Sequence, residues 1–590
     1  MPQPPTTPPE SPTIKVNGAP LAQRWLDLLT AARVDRSVCL VGRATLRFLD
    51  TGFELSASDV FALGSEVVIG AGPDSPPLFR GTVTAVSLEQ EHYASELVVS
   101  VDDAAVKLVH HYATTAHKNM TYSDVISKLA AEAGLSVQGT DELGGPAHDY
   151  LLQTGSGLDY LNSITQRCGV VWWVDDRGWL MLEKGSRRPA PVVKLDLGTT
   201  LLSFAVRATS SGPGKVEVSG WDGLEQERLR HSGVVPKGRD ESEFVHQANG
   251  RSKSLGTGTA LVAAPTPLDV QEAKTLAEAL RGEVSKAAVT ARGTCQGTGL
   301  ITPMSVVEVA EVGPASGKYL VTRVEHVYTP NGFRTHFTSG PLRPAGMVDL
   351  LGGSAAPDAL QGVYPAVVTD VSDPENLGRL KVQFTTLAGE VESGWARIVT
   401  LGAGKERGVV FQPEVEDEVL VAFEQGDSRR PLVLGGLFSK ANALPAGKFA
   451  EEGKRQIASR RIASRNGYFL EFSDGDSPGE QHVQLALDDG TRLRIGMDRI
   501  DLEISNKPIL VSNGGAKFEL TQSGDVVLEG NNVTIKAKQN LTLEGAVNAK
   551  LKAGVAADIE GAQVSVKGQA TTAVEATGTL TLKGGMVMIN

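Results

Sequence analysis

Histidine and cysteine are the residue types in this chain best able to bind a metal or act as nucleophiles, and the sequence has ten of the first and three of the second. His110, His111 and His117 are the only histidines that lie close together in sequence. No cysteine or regularly spaced carboxylate completes a metal-ligand set beside them. We therefore predict no metal site and no cofactor.

Asp175 and Asp176 form an acidic pair that could in principle serve general acid–base catalysis. Arg177 and Gly178 follow directly, however, and acidic residues followed by glycine are typical of hairpin turns. We interpret the pair as a turn, predict no catalytic residue, and expect that the protein is not an enzyme.

Cys39, Cys168 and Cys295 are far apart and form no Cys-x-x-Cys motif, which favours buried thiols in a protein made in a reducing cytoplasm. Residues 1–12 are rich in proline and threonine and lack the basic start and apolar run of a secretory signal. We expect a flexible arm there and synthesis in the cytoplasm without a signal peptide. The net charge of -12 disfavours binding to nucleic acid or anionic lipid.

The C-terminal part of the chain repeats an apolar-x-apolar unit every seven or eight residues. The two apolar side chains of each pair leave one face of an extended strand, while the residue between them faces water. Glycines commonly follow two residues after a pair, where the chain can turn a corner. The pairs are Val526/Leu528, Val533/Ile535, Leu541/Leu543, Ala549/Leu551, Ala557/Ile559, Val564/Val566, Thr572/Val574, Leu580/Leu582 and Val587/Ile589.

One strand with two inward side chains buries too little apolar surface to offset its own ordering entropy, so neighbouring segments must stack on it. With about eight residues per corner a single chain encloses a very narrow interior, whereas three chains can share one dry core. We predict that the core of such a trimer is built from Val526, Leu528, Val533, Ile535, Leu541, Leu543, Leu551, Ile559, Val564, Val566, Val574, Leu580 and Leu582.

The elements before the repeat are mostly short strands with a few helices. Residues 121–124 match a capping box at the start of a helix. Apolar spacing predicts further helices at 158–167 and 269–288, with a helical patch around 21–32. Residues 210–259 show little periodicity and are interpreted as an extended loop or insertion.

A compact all-β block occupies residues 362–438. Its five or six short strands, among them 409–412, suit a small closed barrel such as the OB-fold. The block contains the runs 368–370 (VTD), 373–374 (DP), 378–382 (GRLKV), 395–397 (WAR) and 418–435 (EVLVAFEQGDSRRPLVLG).

These runs together resemble VgrG-type spike proteins of contractile injection systems, which are related to the hub and puncturing spike of contractile phage tails. The runs 79–81 (FRG), 119–122 (NMTY), 150–153 (YLLQ) and 168–169 (CG) are similar to the phage-hub-like half of that family. Two residues depart from the family pattern: Glu416 replaces a usual glycine, and Ser428 replaces a common proline. Both departures put local turn geometry in doubt but not the fold.

The resemblance implies a mainly β, multidomain fold: phage-hub-like β-barrel domains with helical insertions, an OB-fold neck and a C-terminal trimeric β-prism, which is a triple-stranded β-helix. The expected domains are the arm (1–12), a hub-like region of two barrel-like domains (13–345), a linker (346–361), the OB-fold barrel (362–438), a second linker (439–464) and the spike (465–590).

The function that the resemblance implies is that of a trimeric hub and spike, which punctures the target envelope at the tip of an inner tube. Expected partners are two further copies, the inner-tube ring, baseplate proteins and, transiently, the target membrane; effector cargo is left open. Only some tens of residues separate Phe438 from the first strands of the expected spike, and the sequence stops within the last repeat unit. We therefore expect neither a lysozyme-like domain between barrel and spike nor an effector domain after it. We expect assembly into a contractile particle, cytoplasmic or released; the type of machine is left open.

Some phage spikes bind iron through a His-x-His motif at the tip, and this chain has none. We therefore expect a blunt apolar end that docks a PAAR-like tip protein through Met586, Val587, Met588, Ile589 and Asn590. The alternative is that these residues close the prism on themselves.

Two other functions compete with this one. β-Helix enzymes that degrade polysaccharides also carry strand repeats, but their coils are near 20 residues and they need a focused carboxylate cluster. A trimeric adhesion fibre is the other alternative.

Overall fold

The fold is described from a computed structural model, which covers residues 12–72, 76–91, 94–209, 212–236, 242–251, 258–262, 266–343, 360–387, 391–450, 453 and 455–589. The chain divides into two compact units, Met1–Leu444 and Pro445–Asn590. Residues 1–11 of the predicted arm and 346–359 of the predicted first linker lie outside the described residues.

An eleven-stranded sheet is the scaffold of the first unit. Its strands alternate buried and more exposed side chains, as in Arg43–Leu49, where Ala44, Leu46 and Phe48 are buried. In sheet order the strands are Leu201–Ala208, Val289–Gln296, Gly332–Ser339, Arg323–Thr329, Leu29–Ser37, Arg43–Leu49, Ala94–Asp102, Pro77–Glu91, Glu66–Gly70, Thr13–Val16 and Ala19–Pro20.

Two hydrophobic cores form along this sheet. One is centred on Leu46, Phe48 and Val99, and the other on Tyr319 and Phe337. A three-stranded sheet contributes to the second core, and its strands are Pro191–Asp196, Val306–Ala310 and Gly317–Leu320. The prediction of a mainly β, multi-sheet fold is confirmed.

Helices form a third core together with a small sheet around the fully buried Trp172. The sheet consists of Val137–Gln138, Val170–Val174 and Leu180–Lys184. The α-helices of the described residues are α1 (Gln23–Leu26), α2 (Val106–His110), α3 (Tyr122–Glu132), α4 (Gly157–Cys168), α5 (Glu243–Arg251) and α6 (Val270–Ala287), and the 3₁₀ turns are Thr140–Leu143, Gly313–Ala315 and Glu424–Gly426.

Local chemistry explains the starts and turns of these elements. At α3 the Thr121 hydroxyl accepts a hydrogen bond from the Asp124 backbone N–H at 3.1 Å, and the Asp124 carboxylate accepts one from the Thr121 backbone N–H at 3.2 Å. Asp175 accepts from the backbone N–H groups of Arg177 at 3.0 Å and Trp179 at 2.8 Å. The predicted capping box and hairpin turn are both confirmed.

The predicted helical patch around 21–32 is wrong beyond the short α1. Leu29–Ser37 is a strand, and its pairing with Arg43–Leu49 shifts register between Leu29 and Ala31. This β-bulge places Leu29 and Ala32 on the buried face although they are three residues apart. That spacing mimics the periodicity of a helix.

The interpretation of residues 210–259 as an extended loop is also wrong. Lys215–Asp222 and Glu227–Val234 form a hairpin, and Thr259–Val262 pairs in parallel with the first of these strands. Only a few of the hairpin's side chains, such as Val218, are buried, and they pack on α6, which lies far away in sequence. The sequence of these strands therefore shows too little apolar alternation to predict them.

A small barrel follows, and its five-stranded sheet has the order Lys381–Phe384, Val363–Asp370, Glu418–Phe423, Pro431–Gly436 and Arg397–Ile398. The predicted strand at 409–412 is wrong. A two-stranded ribbon, Ala403–Gly404 with Arg407–Gly408, stands at this point instead.

The second unit begins with a five-stranded antiparallel meander. A three-stranded antiparallel sheet follows it. The strands in order are Ser459–Ala463, Phe469–Asp474, Gln481–Ala486, Arg492–Gly496 and Ile500–Glu503, then Ile509–Asn513, Ala516–Leu520 and Val526–Gly530.

No α-helix of the described residues is both long and apolar enough to cross a bilayer. The described residues also contain no group of three or more His, Cys, Asp or Glu side chains placed to hold a metal ion.

His326 should make the stability of the first unit depend on pH. Burial, helped by Arg36 and His336, lowers the pKa of His326 to about 3. The unfolded chain takes up this proton near pH 6.5 and the folded chain does not, so stability falls as pH drops from about 6.5 to 3, by up to roughly 1.4 kcal/mol per pH unit. We expect the free energy of unfolding, measured with urea at several pH values in this range, to depend less steeply on pH for His326→Gln than for the parent protein.

The control is the exposed His110→Gln, which should keep the slope of the parent protein. Equal slopes for all three proteins would contradict the assignment.

Candidate assembly surface

The meander of the second unit carries two straight rows of apolar side chains on one face. Strand pairing aligns Phe472, Val483, Ile495 and Ile500 in one row. The neighbouring row, two residues along each strand, consists of Ile462, Leu470, Leu485, Leu493 and Leu502. Residues two apart on a strand share a face, so both rows form a single apolar surface.

This apolar surface is open in the single chain. Nearly all of its side chains are more than a third exposed, and Ile500 reaches 69%. Exposed apolar patches of this extent mark interaction surfaces in soluble proteins.

The opposite face of the same meander is charged. Arg461 donates to the Glu471 carboxylate at 2.9 Å, and His482 lies 3.6 Å from the same carboxylate. Arg492 and Glu503 pair across the last two strands at 2.9 Å. The Arg461–Glu471 pair is nearly buried and the Arg492–Glu503 pair is about half exposed. This face therefore satisfies its charges within the chain, whereas the apolar face is left open.

The three-stranded sheet carries aligned apolar side chains of its own. Val511, Phe518 and Leu528 are aligned there, and so are Leu520 and Val526. The predicted core begins at Val526 and does not include the rows between 462 and 520. The same apolar-x-apolar pairs, such as Leu470/Phe472 and Leu493/Ile495, were the signal that could have found them.

Beyond Gly530 the backbone bends at a regular interval. The bends fall at residues 538–539, 546–547, 554–555, 562–563, 569–570, 577–578 and 585–586, which is one every seven or eight residues. The described residues after Gly530 form no strand pairing within this chain. Their backbone donors and acceptors are thus left for water or for another chain.

The residues predicted as trimer core from Leu541 onward lie between these bends, whereas Val526 and Leu528 lie in the strand Val526–Gly530 and Val533 and Ile535 precede the first bend. All of them are at least half exposed in the single chain. Their exposed fractions run from 50% at Val533 to 80% at Leu543. No interchain contact tests this assignment, so it stays a prediction. The same holds for the tip residues: Met586, Val587, Met588 and Ile589 are exposed, and Asn590 lies outside the described residues.

Two of the repeat glycines are required by close approach of the backbone. A Cβ at Gly545 would lie 2.5 Å from the carbonyl oxygen of Asn548, and one at Gly568 would lie 2.6 Å from that of Thr571. Real Cβ atoms do not tolerate such distances to backbone atoms. The corners at these points therefore need glycine, whereas a Cβ at Gly554 would meet nothing within 4 Å.

A buried ionic cluster joins the barrel to the rest of the first unit. Its centre is Arg429, which donates to the carboxylates of Glu272 at 2.8 Å and Asp427 at 2.7 Å. Arg429 also donates to the Tyr122 hydroxyl at 3.1 Å and to the Thr266 carbonyl at 3.1 Å. Four groups from three distant parts of the sequence thus converge on one guanidinium.

A second cation balances the cluster. Arg167 at the end of α4 lies 3.8 Å from Glu272 and 3.7 Å from Asp427, which makes two arginines for two carboxylates. Arg430 extends the contact by donating to the carbonyls of Trp221 at 2.7 Å and Pro267 at 2.6 Å. The arginines of the barrel therefore hold the backbone of the hairpin and of the segment before α6.

The pKa values follow from burial and pairing. Burial raises the pKa of Asp427 and of Glu272, but Arg429 and Arg167 outweigh it and hold both pKa values below their ordinary range. Burial lowers the pKa of Arg429, but Tyr122, Asp427 and Glu272 raise it well above its ordinary value. All the charged forms persist at neutral pH.

The arrangement of the cluster indicates a structural role and not a role in acid–base catalysis. A cleft of about 600 Å³ opens beside it, lined by Tyr150, Lys381 and Trp395 among others. The carboxylates of the cluster, however, are saturated by arginines, and neither is poised to take up a proton near neutral pH.

The other candidate residues of the sequence are not brought together into a site. His117 is buried and stacks on Tyr160 at 6.1 Å, while His110 is exposed on α2. Burial lowers the pKa of His117. The three cysteines are buried and unpaired, and burial raises the pKa of each thiol.

The departure at Glu416 coincides with unusual backbone geometry. Glu416 has φ of 75°, in the left-handed region that favours glycine. The turn therefore keeps the conformation that a glycine would allow, and its Glu416 N–H donates to the Val368 carbonyl at 2.9 Å.

Comparison with known proteins identifies the family. The model described as the Alg8 N-terminal domain matches residues 9–329, more than half of the chain. The chain belongs to this family. A second model, the type VI secretion system/phage-baseplate injector OB domain, matches residues 364–438 and confirms the OB-fold.

The curated relatives are spike proteins of the type VI secretion system. The chain is 30% identical over 186 residues to the type VI secretion system spike protein VgrG5 of Pseudomonas aeruginosa, which covers 29% of this chain and 23% of the relative. It is 28% identical over 115 residues to the spike protein VgrG3 of Vibrio cholerae, covering 19% of this chain and 11% of the relative. The matches therefore span a quarter or less of each relative.

A solved structure supports the fold alone. The structure titled Francisella PdpA-VgrG complex, half-lidded, aligns with 84% of this chain and 88% of its own chain at 7% identity and a TM-score of 0.50. The resemblance to VgrG-type spike proteins, drawn above from the barrel motifs, is confirmed by these comparisons taken together.

Removal of the central arginine should destabilise the first unit strongly. Arg429→Ala leaves the Asp427 and Glu272 carboxylates buried with less compensation, which typically costs about 3–5 kcal/mol. Arg429→Lys keeps the positive charge but loses the forked geometry of the guanidinium. Its free energy of unfolding should lie between those of the parent protein and Arg429→Ala. Urea unfolding at neutral pH measures both.

The exposed Arg228→Ala in the nearby hairpin is the control, and it should change stability by less than about 0.5 kcal/mol. If Arg429→Ala unfolds like this control, the cluster does not hold the barrel in place.

Gly545→Ala should weaken the repeat, because the new methyl group meets the Asn548 carbonyl oxygen. A forced shift of this kind costs about 1–3 kcal/mol. Gly554→Ala is the matched control, since its methyl group has open space, and it should be neutral or slightly stabilising. Thermal unfolding of the two variants compares them, and equal midpoints would contradict the need for glycine at the 545 corner.

Proposed function

We propose that this chain is the structural spike and hub at the tip of the inner tube of a contractile injection system, and that it works as a homotrimer. The observation that supports this best is the open apolar face of the second unit, which runs in aligned rows from Ile462 to Val526 and is followed by the regularly bent repeat. Each Val, Leu or Ile that becomes buried there contributes roughly 1.5–3 kcal/mol.

Three copies suit the geometry of the repeat. The bends leave segments of about eight residues, too short for one chain to enclose a filled core in each turn. Three chains placed around an axis can each supply one segment per layer, so the apolar pairs face one another and the outward residues face water. The unpaired backbone of the single chain is then satisfied by its neighbours.

We assign the other parts by the family. The region 13–345 docks on the inner-tube ring and the baseplate, the barrel 362–438 forms the neck, and the spike 465–590 punctures the target envelope. The ionic cluster at Arg429 suits a neck that must pass force from the hub to the spike without turning. In this proposal the protein is not an enzyme, and the naming of the curated relatives VgrG5 and VgrG3 as spike proteins supports this.

A tip protein is the proposed partner at the far end. Met586, Val587, Met588 and Ile589 are apolar and exposed, and a separate PAAR-like protein would cover them. The particle is made in the cytoplasm and acts there or after release.

The stoichiometry is tested by light scattering on the full chain. We expect a mass of three times 62.2 kDa. Leu485→Ser removes an apolar side chain of the aligned row and should lower the urea concentration at which the assembly dissociates. Large-to-small changes at buried leucines cost about 2–5 kcal/mol per site, and here the change occurs in every copy.

Gln484→Ser is the control, because Gln484 lies on the opposite, charged face of the same strand. It should dissociate like the parent protein. A parent mass of 62.2 kDa at micromolar concentration would overturn the trimer and the spike function with it.

A further inference from the structure

The cleft beside the Arg429 cluster is one part of a groove that has two parts. The larger part has a volume of about 600 Å³, and a smaller part of about 270 Å³ adjoins it. Trp395 stands where the two parts meet. The residues that line both parts are Leu224, Leu268, Arg379, Trp395 and Arg429. We call this feature the junction groove, and its size is that of a ligand site.

Trp395 and two leucines give the junction groove an apolar wall. The Trp395 indole is partly exposed, and the Lys381 ammonium lies 4.8 Å from the centre of its ring. Leu224, in the turn of the hairpin, is 50% exposed, and Leu268, before α6, is partly exposed. The wall therefore offers a place for an apolar side chain of a ligand.

Two buried polar atoms at the junction groove have no hydrogen-bond partner in the described part of the chain. Tyr150 is only 5% exposed, and its hydroxyl makes no hydrogen bond. The Nε2 atom of His148 is likewise buried without a partner. Both residues line the larger part of the groove and lie two apart on the strand His148–Gln153, so they share a face. Unsatisfied buried groups are costly, which makes both open to a ligand.

Both groups are neutral at physiological pH. Burial, helped by the Glu392 carboxylate, raises the pKa of the Tyr150 hydroxyl above its ordinary value. Burial, helped by Arg429, lowers the pKa of His148. Side chains two apart on a strand are spaced by about 7 Å, which is also the two-residue repeat of an extended peptide. Neutral groups at this spacing suit the N–H and C=O groups of a peptide backbone.

The charges at the junction groove are largely compensated within the chain. Arg379 pairs with Asp373 at 2.7 Å, and Lys118 pairs with Glu392 at 2.7 Å. Arg429 is held by the carboxylates of its own cluster. Little charge is left to attract an ion, which disfavours a phosphate or a polyanion as the ligand.

Strand pairing leaves room for a peptide. The strand His148–Gln153 pairs with Thr115–Met120 on one edge, and no other strand of the described ranges pairs with it. An unpaired strand edge can accept main-chain hydrogen bonds from an extended peptide.

We propose that the junction groove binds an extended, uncharged peptide segment of a partner protein. Its backbone bonds to Tyr150 and His148, and one of its apolar side chains packs on Trp395. The groove is lined by residues of the first unit alone, so the inference does not depend on the proposed trimer.

Selection from a library of phage-displayed seven-residue peptides, with the full chain as bait, tests the proposal. We expect enriched peptides to share an apolar or aromatic residue and to lack runs of charge. A fluorescein-labelled synthetic copy of one such peptide then gives the affinity by fluorescence polarisation. Trp395→Ala should weaken binding at least tenfold, because it removes the apolar wall. Tyr150→Phe keeps the ring but removes a hydrogen bond, and it should weaken binding about two- to tenfold.

Trp179→Ala is the matched control. Trp179 is 39% exposed and also has a cation over its ring, since Arg177 lies 4.4 Å from the ring centre, but it is not a lining residue of the groove. This variant should bind the peptide like the parent protein. If the parent enriches no peptide over a Trp395→Ala bait, or if both tryptophan variants lose the same affinity, the groove is not a peptide site.

The stability of Tyr150→Phe without any peptide gives an independent readout. If the hydroxyl has no partner in the free protein, its removal should leave the urea midpoint of the first unit unchanged or raise it. A lower midpoint would show that the hydroxyl already has a partner, such as a buried water molecule, and would overturn the inference.

Discussion

The alternation of apolar and polar side chains along the strands of the second unit is the constraint on which the molecule depends. It gives each strand one face that water disfavours and one that water solvates, and the register of the meander aligns the apolar faces into rows. A sheet that is charged on one side and apolar on the other cannot be satisfied by a single layer. The apolar face of the second unit is therefore left without a partner layer within this chain.

The first unit differs from the second, because its apolar side chains are buried in several separate cores that pack against one another. The ribbon Thr115–Met120 with His148–Gln153 shows how this is done. Leu151 packs into the helical core, while Tyr150 and Leu152 on the other face pack into the core of the barrel. A Cβ at Gly394 would meet the Cβ of Tyr150 at 3.1 Å, so the barrel approaches the ribbon closely.

The Arg429 cluster fixes the orientation of the barrel, which the apolar contact alone does not fix. Apolar packing tolerates sliding, but a guanidinium that must reach Glu272, Asp427 and Tyr122 at once fixes both the distance and the rotation of the barrel. Buried ion pairs of this kind contribute little net stability relative to apolar replacements, and their value lies in selecting one geometry. The cluster therefore contributes a fixed orientation of the barrel more than it contributes extra stability.

The sequence predicted those features whose signal is local. The Thr121 capping box, the turn at Asp175 and the helices α4 and α6 follow from neighbouring residues, and the barrel was recognised from its motifs. The bulge after Leu29 and the hairpin within 212–236 were misjudged, because the first breaks the alternation and the second takes its burial from α6. The Arg429 cluster could not be predicted, since its members are scattered from Tyr122 to Arg429 and only the fold brings them together.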